Sequence, residues 1–434
     1  MRYRTTKHRT TKHRTTKHRT TKHRTIKNTT KRNKKTNNKY NRLKKKNKKS
    51  NKIRTPKVHV LKSTTPKNIQ YISTLISDQI DDKARGLFKY SSYSPTINEE
   101  LVSLKSTMRE NIMGCNNDRA FELHEPLQIQ MPGDNICVPY YDQSAKKMLL
   151  HNLSANKHID VSKIITPKQY RSNCWFNAMF VTFFISDKGR KFFHYFRQLM
   201  ILGELSNGKK IPRNLADAFA LLNFAIESSL TGSDYAYDLD TNSIIQKIYK
   251  SIPIHEYKTE GFHKIYNIDD SGNPIHYYSS IIHYLQDTSI DLILIRTYNH
   301  TDWKNMVNDR IKEFGYYPHI IVIEIFDGPK QTPGNSGIIK DKELEFTVRD
   351  NKYVLDSCVV RDKSQQHFCA LITCEGKQYA YDGESYHRLV PLDWKNQVNS
   401  EFTWTFEGTY DSNNEYLLEW SFLHGYQMLI YYLS

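Results

Sequence analysis

The sequence predicts an α+β fold in which a helical half precedes a β half. From about residue 165 the apolar residues recur at helical spacing, and after residue 290 they form short runs rich in Val, Ile, Tyr and Phe. Because the two patterns follow one another along the chain instead of alternating, we expect a helical lobe and an antiparallel β lobe with a cleft between them.

The formal charge of +19 comes from the beginning of the chain. Residues 1–60 contain 25 of the 64 Lys and Arg residues and no Asp or Glu. This leaves 39 basic and 45 acidic residues in residues 61–434, a charge near −6. The net positive charge therefore belongs to an N-terminal tail, and the main body of the protein is mildly acidic.

The tail opens with a repeat, since RTTKH occurs four times in succession from Arg4 to His23. Residues 1–54 contain too few apolar side chains to offset chain entropy, so we expect them to be disordered. One interpretation is a solubilising tail, and the other is electrostatic binding to nucleic acid or another polyanion. The run KKKNKK at 44–49 also fits a nuclear import signal.

Residues 55–160 form either an N-terminal extension or a small α/β domain, and the sequence leaves both open. A cap and a proline at Thr65-Pro66 predict a helix start, and a second helix is predicted over 96–113, ending at Gly114. LQIQMP and NICVPYY, at 127–132 and 135–141, are typical of short strands.

Residues 161–434 form the predicted main domain. Helices are expected at 213–227, 240–251 and 277–286. The expected strands are IDLILIRTY, HIIVIEIFD, ELEFTV, YVLDSCVV, HFCALITC, KQYAYD, EFTWTF and YQMLIYYL.

The six cysteines do not form a CxxC pair, so we do not expect a structural zinc site. We also expect no cofactor. The long spacings of the cysteines suggest free thiols in a reducing compartment. The chain contains no apolar run near the roughly 20 residues that a membrane span needs. It also contains no GxxxxGK[ST] phosphate loop and no GxSxG elbow, which argues against a nucleotide-binding enzyme and a serine hydrolase.

One cysteine, Cys174, lies in the informative segment QYRSNCWFNAMFVTFFISD at 169–187. The residues after it have the spacing of a buried helix, and Ser172 and Asn173 are capping residues just before it. A helix N-terminus carries about half a positive charge and favours a thiolate. The position therefore suits a nucleophile, while an ordinary buried cysteine is the alternative.

A downstream segment, HFCALITCEGKQYAYDG, supplies a histidine and an aspartate on a predicted hairpin. A two-residue turn at Glu375-Gly376 pairs Cys374 with Lys377. In that register His367 and Asp382 are diagonal neighbours on one face, about 7–8 Å apart at the backbone. A carboxylate there can fix the imidazole tautomer, whereas a strand-edge histidine and a turn aspartate are the alternative.

An acyl-transfer site also needs donors for an oxyanion. The backbone N–H of Cys174 lies in the first helical turn and has no intrahelical acceptor. The carboxamide of Gln169, five residues earlier, is the candidate second donor, and Asn173 is a weaker one. Three residues near the histidine segment rank lower as catalytic partners: Asp356, Asp362 and His387.

These segments resemble the ubiquitin-specific proteases of the papain-like superfamily. CWFNA from Cys174, followed by FVTFFISDKGRKFF, is similar to the family's cysteine box. YVLDSCVV, QHF and YAYDG are similar to its histidine box, and GYQMLIY is similar to its closing strand. With its basic repeat tail and its Lys-, Asn-, Ile- and Tyr-rich composition, the chain also resembles thiol proteases of giant DNA viruses.

The resemblance implies a papain-like fold over residues 161–434 and a cysteine protease that removes ubiquitin or a ubiquitin-like modifier. It implies Cys174 as nucleophile, His367 as base, Asp382 as orienting acid and Gln169 as oxyanion donor. A maturation protease for viral structural proteins is one alternative, and an inactive virion protein that binds ubiquitin or nucleic acid is another. We expect a location in the virion or the host cytoplasm.

Overall fold

The computed structural model describes residues 58–59, 112–115, 126–133, 135–155, 159–205, 207–253, 272–286, 292–297, 303–315, 317–325 and 342–434. All of them belong to one compact unit, Pro56–Ser434. The tail predicted to be disordered, the helix predicted from Thr65-Pro66 and most of the helix predicted over 96–113 lie outside the described residues.

The α-helices of the described part precede most of the sheet, as expected. They are α1 (Gln143–Ala155), α2 (Cys174–Phe184), α3 (Asp187–Phe192), α4 (His194–Leu202), α5 (Arg213–Thr231), α6 (Thr241–Ser251), α7 (Pro274–Leu285) and α8 (Trp303–Phe314). The three predicted helices are confirmed as α5, α6 and α7. Local chemistry sets their ends: the Asn273 side chain accepts from two N–H groups at the start of α7, and Gly232 ends α5 in the left-handed conformation.

The strands of the main domain match the eight predicted segments. They are β5 (Ile293–Thr297), β6 (Ile320–Ile325), β7 (Glu345–Val348), β8 (Asn351–Arg361), β9 (Phe368–Cys374), β10 (Lys377–Tyr381), β12 (Thr403–Phe406) and β14 (Gln427–Leu433), with the short strands β11 (Val390–Pro391) and β13 (Trp420–Ser421) between them. The N-terminal part adds β1 (Val58–His59), β2 (Met113–Gly114), β3 (Gln128–Gln130) and β4 (Cys137–Pro139).

A large sheet with the strand order β11-β10-β9-β8-β14-β6-β5 forms the centre of the described part, and β7 pairs with β8. Its pairs are antiparallel except β5 with β6, which run parallel. Parallel neighbours need a crossover, and α8 lies between them in sequence. The expectation of a purely antiparallel β half is therefore wrong here. Trp303, Val307 and Ile311, four residues apart, gave a helical signal within the strand-rich half.

Both faces of the large sheet are buried. On β9, Ala370 and Ile372 face the helical layer that contains α2, while Cys369 and Leu371 face a second core containing α8 and the small sheet β1-β12-β13. Burial on both faces explains why β6, IIVIEI, is apolar at every position except Glu324. The result is a mixed α+β architecture in which α2, the helix that begins at Cys174, packs directly on β9, the strand that follows His367.

The N-terminal strands β2, β3 and β4 form a separate antiparallel sheet. Cys115 and Cys137, at its edges, form a disulfide, so the expectation of six free thiols is wrong at these two positions. The strands predicted at 127–132 and 135–141 are confirmed, but Met113 lies in a strand where a helix end was predicted. Ile129 of β3 joins the helical core, so this region packs with the main domain.

In the part of the chain that the structure describes, no helix has both the length and the apolarity to cross a membrane.

Candidate active site

The β9–β10 hairpin has the register that the sequence predicts. Glu375 and Gly376 both have positive φ, 48° and 71°, as a two-residue turn of the favoured hairpin type requires. Cys374 pairs with Lys377, and the ladder continues to Ala370 opposite Tyr381. This register brings the residue before β9 next to the residue after β10, and these are His367 and Asp382.

His367 and Asp382 form a hydrogen-bonded pair between Nε2 of the imidazole and Oδ1 of the carboxylate. Both side chains are buried, and Asp382 is fully inaccessible. The second carboxylate oxygen accepts from the hydroxyl of Thr409 at 2.5 Å and from the backbone N–H of Ser385 at 3.1 Å. The ring of Trp420 meets the imidazole edge-on, with centroids 5.8 Å apart. Asp382 is therefore a buried charge with several donors around it.

The pKa values of the pair move apart. Burial lowers the pKa of His367, but the charge and hydrogen bond of Asp382, together with the contact of Cys174, outweigh burial, and the pKa lies well above its ordinary value. Burial raises the pKa of Asp382, but the charge of His367 and the hydrogen bonds from His367, Thr409 and Ser385 bring it below its ordinary value. Each group thus stabilises the charged form of the other.

Cys174 is the first residue of α2 and lies beside His367. Its side chain hydrogen-bonds the imidazole, and because Asp382 engages Nε2, Nδ1 is the ring nitrogen left for the sulfur. Cys174 is 9% exposed, against 3% for His367 and 0% for Asp382. The structure thus brings together the three side chains that the sequence singled out.

The predicted capping of α2 is wrong in one respect, because Asn173 occupies the N-cap position without a side-chain cap hydrogen bond. Its carboxamide instead accepts from the Tyr170 N–H at 3.0 Å and donates to the Thr241 hydroxyl at 2.8 Å. That hydroxyl donates to Asn177, one turn into α2, at 2.6 Å. Asn173 therefore fixes the loop in front of Cys174 and does not itself cap the helix.

Gln169 lies in this loop and is tied to the turn after Asp382. Its backbone N–H donates to Gly383 O at 2.7 Å, and its side-chain Nε2 donates to Arg171 O at 3.0 Å. An NH₂ group has two N–H donors, so one remains for another acceptor. The neighbouring Tyr381 hydroxyl donates to Pro167 O at 2.5 Å and fastens the same loop to the end of β10. The loop before Cys174 and the hairpin thus form one connected unit.

Two supporting residues were not predicted in their observed roles. Asp362, ranked as a lower catalytic candidate, accepts from the backbone N–H groups of Gln366 and His367, both at 2.6 Å, and so shapes the turn before the imidazole. An Asp two residues before a Ser is a typical turn signal that pointed to this role. Thr409 lies 27 residues after Asp382 in a loop, and no sequence pattern marks it.

The other lower-ranked candidates lie elsewhere. Asp356 accepts from the Lys188 N–H at 3.4 Å, and burial raises its pKa. The carbonyl of His387 accepts from Thr166 N–H at 3.1 Å, and burial lowers the pKa of its imidazole. In the contacts of the described residues, neither touches Cys174 or His367. Nor does the described part contain a cluster of three or more His, Cys, Asp or Glu side chains suited to a metal ion.

The arrangement has a defined chemical capacity. A thiol next to an imidazole can transfer its proton to Nδ1, and a carboxylate on Nε2 stabilises the resulting imidazolium. The N–H groups at the start of α2 are donors at the helix end that carries Cys174, and the Gln169 carboxamide is a donor in the loop that precedes it. These are the parts that attack on a carbonyl group requires.

No protein-family model matches the chain, and no curated protein sequence matches it. Among solved structures, it is similar to an essential yeast splicing factor, with a TM-score of 0.35, 9% identity, and coverage of 71% of this chain and 83% of that one. It is also similar to the yeast SAGA DUBm with an Sgf73 mutant, with a TM-score of 0.28, 10% identity, and coverage of 63% and 69%. Likeness at this level decides nothing about function.

Proposed function

We propose that the chain is a cysteine protease of papain-like fold that hydrolyses peptide or isopeptide bonds. The observation that supports this most directly is the contact of one imidazole with both a thiol and a buried carboxylate, Cys174–His367–Asp382. In an ordinary core, a fully buried carboxylate is costly unless it has a specific partner. Here its partner is the group that meets the thiol.

In the proposed reaction, Cys174 gives its proton to Nδ1 of His367, and the thiolate attacks the carbonyl carbon of the scissile bond. The Cys174 N–H and the Gln169 carboxamide donate to the resulting oxyanion. The imidazolium then gives its proton to the leaving nitrogen, the C–N bond breaks, and a thioester remains. Water attacks this thioester while His367 accepts its proton, and the C–S bond breaks to release the acid and the thiolate. Asp382 orients the imidazole throughout.

For the substrate, we propose a protein conjugated to ubiquitin or a ubiquitin-like modifier. The support is the order and content of the segments around Cys174, His367 and the last strand, which resemble the ubiquitin-specific proteases. Maturation of viral structural proteins is the alternative substrate class for the same chemistry.

Probes made of ubiquitin or a ubiquitin-like modifier with a C-terminal electrophile test the proposal. We expect a covalent adduct on wild type that is lost in Cys174→Ala and retained in the matched variant Cys358→Ala, measured by intact mass. An adduct on both variants contradicts a nucleophilic Cys174, and an unlabelled wild type contradicts a modifier as the substrate. Retained ubiquitin binding without any adduct would identify a non-catalytic binding module instead.

We also propose that residues 1–54 bind nucleic acid or another polyanion, because residues 1–60 contain 25 basic and no acidic residues. Binding by counterion release weakens linearly in log affinity against log salt. Fluorescence anisotropy with duplex DNA should show this slope for the full chain and lose it when residues 1–54 are deleted. Equal binding by both proteins would refute the proposal, and a heparin competition separates DNA from polyanions in general.

A further inference from the structure

The segment between β12 and β13, residues 407–419, is here called the flap. It is a small hairpin of its own, because Tyr410 and Leu417 form an isolated β-bridge and the Leu418 N–H donates to Thr409 O at 3.2 Å. Tyr416 at its tip is 70% exposed. Thr409, at its base, is in contrast fully buried. The flap therefore has an open tip and an anchored base.

The base of the flap is held by the carboxylate of Asp382, a candidate catalytic group. The hydroxyl of Thr409 donates to Oδ2 of Asp382 at 2.5 Å, on the oxygen opposite the one that meets His367. The hydroxyl of Ser385 in turn contacts that of Thr409. A second contact reaches the histidine side, where the Ser412 N–H donates to the side-chain oxygen of Gln366 at 3.2 Å. The flap thus contacts Asp382 directly and His367 through its neighbour.

We infer that Thr409 is a positioning residue for the reaction proposed above, holding the carboxylate of Asp382, and through it the imidazole of His367, from the flap. The inference rests on the proposed function. The physical reason is that a carboxylate can rotate about its bond to Cβ unless both oxygens are engaged. His367 engages one oxygen, and the Thr409 hydroxyl with the Ser385 N–H engages the other. Removing the hydroxyl leaves a buried charge short of one donor.

The effect on proton affinity has a definite sign. Burial raises the pKa of Asp382, and donation from Thr409 is among the contacts that lower it. Without that hydroxyl the carboxylate is more basic and stabilises the imidazolium of His367 more strongly. The other titratable groups around Asp382 are Cys369, Tyr381, Glu384 and, beyond the imidazole, Cys174. None of these side chains changes in Thr409→Val, so a shift in pH dependence reports the lost hydroxyl.

The test compares Thr409→Val, which has nearly the same shape without the hydroxyl, with Thr409→Ser, which restores it. Thr182→Val is the matched control, because the buried Thr182 hydroxyl bonds only to carbonyls of its own helix, Ala178 and Met179. For a modifier substrate we expect Thr409→Val to lower kcat about tenfold with KM within about twofold. Its pH–rate profile should move to higher pH, and Thr409→Ser should recover both.

A purely structural role would lower melting temperature and the amount of active enzyme without moving the pH profile. The inference is overturned if Thr409→Val has the kcat and pH profile of Thr182→Val. A second measurement is independent of activity: the titration of the His367 imidazole by NMR, assigned with His367→Gln. We expect its midpoint to rise in Thr409→Val, and an unchanged midpoint also overturns the inference. An inactive wild type refutes the proposed function, and the titration still decides whether Thr409 acts on the pair.

Discussion

The buried carboxylate of Asp382 is stabilised by its hydrogen bonds, first of all the one with His367. An isolated carboxylate in the interior would be protonated or destabilising, because its desolvation costs several kcal/mol. Asp382 avoids this by accepting from the imidazole, from the Thr409 hydroxyl and from the Ser385 N–H. The same contacts leave His367 in one orientation, with Nδ1 toward Cys174.

The pair should make stability depend on pH in a specific window. The pKa of His367 is raised, so its contribution is complete below the ordinary value of about 6.5 and is lost as pH rises through the folded pKa. The pKa of Asp382 is lowered, so its contribution is present above about 3.9 and is lost as pH falls through the folded pKa. Relative to Asp382→Asn, the wild type should therefore gain most stability between about pH 4 and 6.5, and less at higher pH.

Urea unfolding followed by tryptophan fluorescence from pH 4 to 10 measures this difference. Asp309→Asn is the control, since Asp309 pairs with Lys312 on the exposed surface and its substitution should change stability little. If the difference between wild type and Asp382→Asn does not decline above pH 6.5, the two charges do not form the pair described above.

At the scale of elements, a buried ionic contact joins the far end of the hairpin to the helical layer. Asp187 accepts from the backbone N–H groups of Glu375 and Gly376 at 2.8 and 3.0 Å, so it caps the β9–β10 turn. Arg190 bridges Asp187 and Glu375 at 3.0 and 2.7 Å. Burial raises the pKa of Asp187 to about 7, and the Arg190 charge opposes that rise. Since Asp187 begins α3, soon after α2 ends, this contact helps set the position of Cys174 relative to His367.

Arg190→Met should therefore destabilise the protein by about 3–5 kcal/mol, because it leaves Asp187 buried without its cation. The matched substitution Arg310→Met removes an exposed pair with Glu313 and should cost less than about 1 kcal/mol. Chemical denaturation of the two variants makes the comparison. Equal losses would mean that the contact at the hairpin turn contributes no more than a surface ion pair.

At the scale of the whole molecule, the N-terminal sheet is attached to the helical core and closed by a disulfide. Cys115 and Cys137 are 22 residues apart, and closing a loop of this size stabilises by about 3 kcal/mol in the chain-entropy account. We expect the wild type to lose about that much stability in reductant, while Cys137→Ser, already less stable, should not respond. Calorimetry with and without reductant measures both effects, and a wild type indifferent to reductant would contradict the assignment.

The register of the β9–β10 hairpin could be predicted from sequence because it depends on local chemistry. Glu375-Gly376 fixes the turn, and the two-residue alternation then determines which side chains meet. The helix start at Cys174 was visible for the same reason, as an apolar helical pattern with a definite beginning.

Other features depend on contacts between segments far apart in the chain. Thr409 contacts Asp382 from a loop whose sequence has no periodic pattern. The disulfide between Cys115 and Cys137 depends on how close the fold brings the two residues, which their spacing in sequence does not determine. Asn is a residue type that often caps helices, but the Asn173 side chain donates to the Thr241 hydroxyl of α6 and does not cap α2. Helix α8 was missed because its neighbours in sequence are strands, although its own residues had a helical period.

The free cysteines of this chain differ in reactivity because they are buried to different degrees. Cys358, Cys369 and Cys374 are completely inaccessible, and burial raises the pKa of each, so they are poor nucleophiles at neutral pH. Cys174 is the most accessible of the four free cysteines. A small alkylating dye should consequently attach once per molecule, which provides a fluorescent reporter at this position without any engineered residue.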